Sequence, residues 1–142
     1  NRAHGALGYS LSATVGAAYG RPNSKIVGIM GDGSFGFTVG ELETIVRYNI
    51  PVTLIVCSNS TYGWIKAGQK TGFGERYFSV DFNRTRHSAV AEAYGVKGFR
   101  VEDPSQLQAT LAKAVAIDEP TLVDVICQPL NEARAPVSEW IA

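Results

Sequence analysis

The chain alternates short apolar runs with amphipathic stretches, and this switching between a period of two and one of three to four predicts strands and helices in turn. From Gly5 to Tyr19, small and apolar residues with Leu7, Leu11, Val15 and Ala18 three or four apart predict a closely packed helix. It should be buried against a sheet and end near Gly20-Arg21-Pro22. Lys25-Ile-Val-Gly-Ile-Met30 reads as a strand that runs into Gly31-Asp32-Gly33-Ser34. Thr38 and Glu41 have the spacing of a capping box, and Leu42, Ile45 and Val46 supply the apolar stripe of a helix over about 39–48. Pro51 leads into a strand over 52–58, whose near-continuous apolar run suits a parallel strand covered on both faces at the centre of the sheet.

Residues 60–86 are rich in glycine, aromatic and basic residues without a clear period; Trp64 to Lys70 reads as a short helix, and the stretch as a substrate-facing loop. A helix over His87 to Tyr94 is stopped by Gly95, and Phe99-Arg-Val101 forms a short strand. Asp103 caps a further helix that has Pro104 at its first position and runs to about Ile117. Thr121 to Cys127 is the last strand, and the tail from Gln128 to Ala142, with Pro129 and Pro136, is expected to wrap the surface.

Four parallel strands joined by helices make an α/β doubly wound, mainly parallel sheet with helices on both faces, in which ligands bind beyond the carboxyl ends of the strands. Asp32 and Asn59 both stand where a strand gives way to a loop, one crossover helix apart. A carboxylate and a side-chain amide are hard oxygen donors of the kind that hold Mg²⁺ together with phosphate oxygens and water. Gly31 and Gly33 lack the β-carbon that would keep a phosphate from the backbone N–H groups. An ordinary glycine turn has the same Gly-Asp-Gly sequence; Ser34, the helix downstream and Asn59 at the next strand end favour the cation and anion site.

Composition narrows the alternatives. Of 142 residues 45% are hydrophobic, enough for one compact domain with a core. Thirteen basic residues balance thirteen acidic ones without a block of like charge, which argues against nucleic acid or an anionic membrane surface as partner. No apolar run approaches the roughly 18 residues of a membrane span, and the start Asn1-Arg-Ala-His4 has no signal-peptide core, so a reducing cytoplasm is the expected compartment. Cys57 and Cys127 lack metal-ligand spacing and read as buried structural thiols. A histidine beside a glycine loop, as His4 is, is more often a cap or a surface residue than an acid–base group, and His87 is read in the same way.

Gly31-Asp32-Gly33-Ser34-Phe35, Glu41-Leu42, Pro51-Val52, Ser58-Asn59 and Tyr62-Gly63 together resemble the cofactor motif of the thiamine diphosphate-dependent decarboxylase and acetolactate synthase superfamily, in its cofactor-diphosphate domain. In weaker form the resemblance extends from Gly5 to about Val125, including Ala93-Tyr-Gly95. It implies that Asp32 and Asn59 ligate Mg²⁺ through their side chains and Thr61 through its backbone carbonyl, with Gly31, Gly33 and Ser34 at the diphosphate. Gly5 would offer its carbonyl to the aminopyrimidine, and Leu7 would be the bulky residue beneath the thiazolium. The family has two asparagines where this chain has Ser58-Asn59, which leaves the ligand in place and changes the hydrogen bonding that supports the loop.

The implied reaction is decarboxylation of a 2-keto acid, with the carbanion passed to a proton or a second carbonyl. Phe37, Glu43, Thr44 and Arg47-Tyr48-Asn49 are similar instead to the 2-hydroxyacyl-CoA lyase and oxalyl-CoA decarboxylase branch, so an acyl-CoA substrate is the alternative. Tyr62 and Trp64 either wall the substrate cavity or fill the core. The family's pyrimidine-activating glutamate sits on a separate domain, normally across a dimer interface, which does not fit within 142 residues. The chain is therefore expected to be a C-terminal portion lacking its first elements, or half of a split homo-oligomeric enzyme, inactive without that partner. A phosphate-binding module for ATP or a flavin, and a degenerate regulatory subunit, are the competing classes.

Overall fold

The computed structural model describes residues 5–129 and 132. Four strands, β1 (Ile26–Gly31), β2 (Val52–Ser58), β3 (Lys97–Val101) and β4 (Thr121–Ile126), form one parallel sheet in the order β1-β2-β4-β3. The 52–58 strand is central, as its apolar run predicts. Among the described residues six α-helices accompany them: α1 (Tyr9–Gly20), α2 (Asp32–Thr38), α3 (Glu41–Arg47), α4 (Gly63–Gly72), α5 (His87–Tyr94) and α6 (Leu107–Ala116).

Strand alternation sends side chains to two separate cores. Met30, Val52, Leu54, Val56 and Leu122 meet Leu11 of α1, Phe35 of α2, Leu42 and Ile45 of α3 and Ala91 of α5 on one face. Val101 and Val123 meet Ala114 of α6 on the other, with Phe99, Leu107, Leu111 and Val125 around them. Each fully buried aliphatic side chain contributes roughly 1.5–3 kcal/mol, so the larger cluster holds most of the stability. Close approach of α1 depends on Gly28, because a β-carbon there would collide with the Thr14 side chain.

Several boundaries differ from the sequence expectation. The first helix starts at Tyr9 rather than Gly5, because Gly5 (φ 55°) and Gly8 (φ 87°) adopt left-handed backbone that no helix accepts. The helix expected over 39–48 is α3, shortened to Glu41–Arg47, and a further helix, α2, begins directly at Asp32 where a glycine loop is expected. Thr38 and Glu41 form no capping box. The Thr38 hydroxyl donates to the Gly8 carbonyl at 3.1 Å, and the Glu41 carboxylate accepts from the Thr44 hydroxyl at 2.9 Å. Long-range tethering of the loop before α1 has displaced a local cap.

Elsewhere the expectations hold closely. Gly95 ends α5 in left-handed backbone (φ 95°), and Asp103 accepts the Ser105 N–H at 2.9 Å as the cap ahead of Pro104, although a 3-10 turn (Pro104–Gln106) precedes α6. The tail expected to wrap the surface lies, beyond Pro129 and apart from Glu132, outside the described residues. Among the described residues no helix is long and apolar enough to cross a membrane.

Candidate functional site

Parallel register between β1 and β2 pairs Gly31 with Cys57, so the residues that follow each strand leave the sheet side by side. Asp32 is 4% exposed, and both its carboxylate oxygens are engaged. One accepts the Gly33 N–H at 2.9 Å; the other accepts the Ser60 N–H at 2.6 Å, tying the β1 end to the β2 loop. Among the described residues no cationic side chain pairs with it.

The loop after β2 is held from several sides. The Asn59 side-chain oxygen accepts the Thr61 N–H at 3.1 Å, and Ser60 between them takes a left-handed φ of 57°. Thr61 is buried, its hydroxyl donating to the Val80 carbonyl at 2.9 Å. The Tyr62 N–H reaches that same carbonyl at 2.8 Å, and the Phe82 N–H donates to the Ser60 carbonyl at 3.0 Å. The segment over 60–86 thus clamps the loop.

A cavity of about 650 Å³ opens above these groups. Asp32, Asn59 and Thr61 line it together with Gly31, Gly33 and Ser34 and with Gly5 and Leu7. The Ser34 hydroxyl oxygen accepts the Gly8 N–H at 2.9 Å, which fixes the Gly5–Gly8 loop over α2 and leaves the hydroxyl proton to donate elsewhere. Leu7 is 46% exposed, presented to the cavity rather than to a core. Tyr62 and Trp64 also line it, and Trp64, 53% exposed, does not fill the domain core. All ten residues assigned to the site from the sequence therefore share this one cavity.

Gly33 sets the position of its neighbour. A β-carbon there would stand 2.6 Å and 2.8 Å from two atoms of the Tyr62 ring, which packs edge-on against Phe82 at 5.1 Å, so the ring would have to shift from that contact. Gly33→Ala is expected to cost about 1–3 kcal/mol through overpacking, read as a lower urea midpoint with an unchanged slope. Beyond the Gly33–Tyr62 wall lies a second cavity of about 660 Å³, lined by Phe35, Phe37, Phe82 and His87 among others.

His87 is not a surface residue; it is buried at the start of α5, beside Ser58 and Asp124. Asp124, 0% exposed in the middle of β4, accepts from the Ser58 hydroxyl at 2.6 Å, Arg100 at 2.8 Å and the Ser88 N–H at 3.4 Å. Burial alone would raise its pKa, but the His87 ring 3.7 Å away and the donors from Ser58, Ser88 and Arg100 outweigh it and hold the carboxyl down at about 2. These residues escape sequence reasoning, except that Asp124 is the one charge inside the apolar run 121–126. Cys57 and Cys127 are half-buried free thiols; burial first, then proximity to Cys57, pushes Cys127 up to about 11, which keeps it protonated and inert.

A parallel α/β domain with a glycine-lined cavity at adjacent strand ends, carrying a carboxylate, an amide and a hydroxyl, belongs to the ligand-binding doubly wound class. More narrowly, residues 1–125 match the family described as "Thiamine pyrophosphate enzyme, C-terminal TPP binding domain", and the chain belongs to that family. It is 36% identical over 126 residues to a probable acetolactate synthase large subunit of Methanococcus aeolicus, covering 88% of this chain and 21% of the relative. A 2-hydroxyacyl-CoA lyase of Arabidopsis thaliana is 36% identical over 137 residues, covering 92% and 24%. In three dimensions the chain is similar to a thiamine diphosphate-dependent 4-hydroxybenzoylformate decarboxylase of Rhodococcus jostii, with a TM-score of 0.81, 32% identity, and 86% of this chain and 23% of that one covered. The chain spans about a fifth to a quarter of the length of these proteins.

Proposed function

We propose that the cavity holds thiamine diphosphate and Mg²⁺, with the side chains of Asp32 and Asn59 and the carbonyl of Thr61 on the metal. The observation that carries this reading is the Asp32 carboxylate, buried and answered by two backbone N–H groups but by no cation among the described residues. Asp124, equally buried, has its Arg100; Asp32 faces a cavity instead. A divalent ion supplies the missing charge, and the hard oxygen set suits Mg²⁺. Among the described residues no group of three or more His, Cys, Asp or Glu side chains could hold a metal, which fits a site completed by an amide, a carbonyl and the cofactor's own phosphates.

The glycines lining the cavity admit a diphosphate close to the backbone, the Ser34 hydroxyl is free to donate to it, and Leu7 offers an apolar surface for the cofactor's ring. Bound thiamine diphosphate supplies the electron sink for breaking a bond next to a carbonyl. This chain's residues anchor and orient it, a task in which a displacement of about 1 Å costs on the order of 10²-fold in rate. The whole polypeptide acts on this reading as a thiamine diphosphate-dependent lyase or transferase of the acetolactate synthase type. It takes a 2-keto acid as substrate and draws on a pyrimidine-binding domain or subunit outside these residues, in a cytoplasmic homo-oligomer. A 2-hydroxyacyl-CoA lyase reading is favoured by the equal identity to that relative, and product analysis with pyruvate against a 2-hydroxyacyl-CoA separates the two.

The experiment is a titration of the full polypeptide with thiamine diphosphate, followed by quenching of tryptophan fluorescence with and without Mg²⁺. Saturable, Mg²⁺-dependent quenching that ATP and flavins do not displace is the expected result; preference for either competitor overturns it.

A further inference from the structure

We infer that His87 is a positioning residue for the cofactor site, bracing the two elements that carry Asp32 and Asn59 against each other. The inference rests on the metal–diphosphate reading above and adds a residue that no part of that reading uses.

Hydrogen inventory fixes how His87 is connected. The Ser58 hydroxyl has one proton and lies 2.6 Å from Asp124, which is held as a carboxylate and can only accept. That proton is therefore spent on Asp124. The 2.9 Å contact between the Ser58 oxygen and His87 Nδ1 must then run the other way, with Nδ1–H donating. Nδ1 carries a hydrogen whether the ring is neutral or charged, so the chain of donors is directional: His87 to Ser58 to Asp124. On its far side Asp124 is pinned by Arg100 and the Ser88 N–H.

The ring's other contact reaches the opposite half of the site. It stands edge-on to Phe35, with centroids 5.5 Å apart and planes at 88°. Phe35 belongs to α2, the helix that opens with Asp32, while Ser58 is the residue before Asn59. The Ser58 carbonyl also accepts the Cys127 N–H at 2.9 Å, so both polar ends of Ser58 are fixed and little freedom is left at the neighbouring Asn59. One buried ring thus touches the element of each ligand. Serine at position 58 makes this possible, because its short hydroxyl can accept from His87 while donating to Asp124.

The test compares the Mg²⁺ concentration for half-maximal thiamine diphosphate binding, and thermal unfolding, in the full polypeptide and its variants. His87→Phe keeps a ring against Phe35 and removes the Nδ1–H; Ser58→Ala removes its acceptor. Each is expected to raise the Mg²⁺ midpoint by about 10-fold, the lower end of what outer-shell partners of a metal contribute. The double variant should show about the same 10-fold rather than the product of about 100-fold, since the two act through one contact. His87→Asn, which keeps a donor near the Nδ1 position, should stay within about 3-fold of wild type.

Unchanged Mg²⁺ midpoints with only a lowered unfolding temperature would reduce His87 to packing and overturn the inference. Multiplying effects in the double variant would overturn it too, and should His87→Phe fail to fold, Ser58→Ala against His87→Asn decides. If wild type shows no Mg²⁺-dependent binding at all, the cofactor reading falls and takes this with it; binding by wild type with indifferent variants sinks the brace alone.

Discussion

Asp32→Ala is expected to weaken Mg²⁺-dependent thiamine diphosphate binding by more than about 100-fold, beyond the roughly 10–100-fold that an outer-shell residue commands. Among the described residues the carboxylate is the only buried charge on the cavity wall, and its two oxygens also join the Gly33 and Ser60 N–H groups across the gap between β1 and β2. Alanine removes the charge that draws the ion and unties the loop that presents Asn59. Asparagine is no neutral control, because its NH₂ would face one of those two N–H donors. The measurement is the fluorescence titration with Mg²⁺ varied, run beside a thermal melt that separates lost affinity from lost fold. Mg²⁺-dependent binding that survives in Asp32→Ala would mean that the ion is held elsewhere.

Asp124→Ala should have the largest effect on stability, on the order of 3–5 kcal/mol, because one residue answers Ser58, Arg100 and the Ser88 N–H, and its loss leaves buried donors without an acceptor. The same carboxyl makes stability pH-dependent. Its folded-state pKa of about 2 lies below the ordinary 3.8, so the folded form binds its proton less readily than the unfolded form. The resulting contribution, about 2 kcal/mol, is complete above about pH 5 and disappears as pH falls from about 4 to 2. Urea midpoints across that window should fall more steeply for wild type than for Asp124→Ala. Parallel curves would show that the carboxyl is not held ionised by its donors.

Much of the fold can be read from the sequence because its strands are dense apolar runs. Residues 52–58, 121–126 and most of 26–31 announce themselves by composition, and Gly95 and Pro104 punctuate two helices at the expected places. The misreadings share one cause. Gly-Asp-Gly-Ser-Phe-Gly looks like a turn, yet it opens α2, because burial of Phe35 against the sheet outweighs poor helix propensity. Thr38 has a local cap within reach and bonds Gly8 instead.

The site divides along the same line. Asp32, Gly33, Ser34 and Asn59 sit at strand ends whose position follows from the strands themselves. His87, Asp124 and Arg100 join the site through contacts between residues 24 to 66 positions apart, and no periodicity reports such pairings. His87 illustrates the point most clearly: at the head of a helix it reads as a surface residue, and only the sheet order, which sets β4 beside β2, encloses it.

The left-handed backbone at Ser60 carries one last implication. A side chain other than glycine, asparagine or aspartate in that conformation stores on the order of 1 kcal/mol, which the clamps from Asp32 and Phe82 hold in place. A segment already bent into its working shape has almost no disorder left to surrender when an ion arrives. On the proposed metal reading, capture is expected to be governed by diffusion and by the shedding of water from the ion rather than by a search through loop conformations.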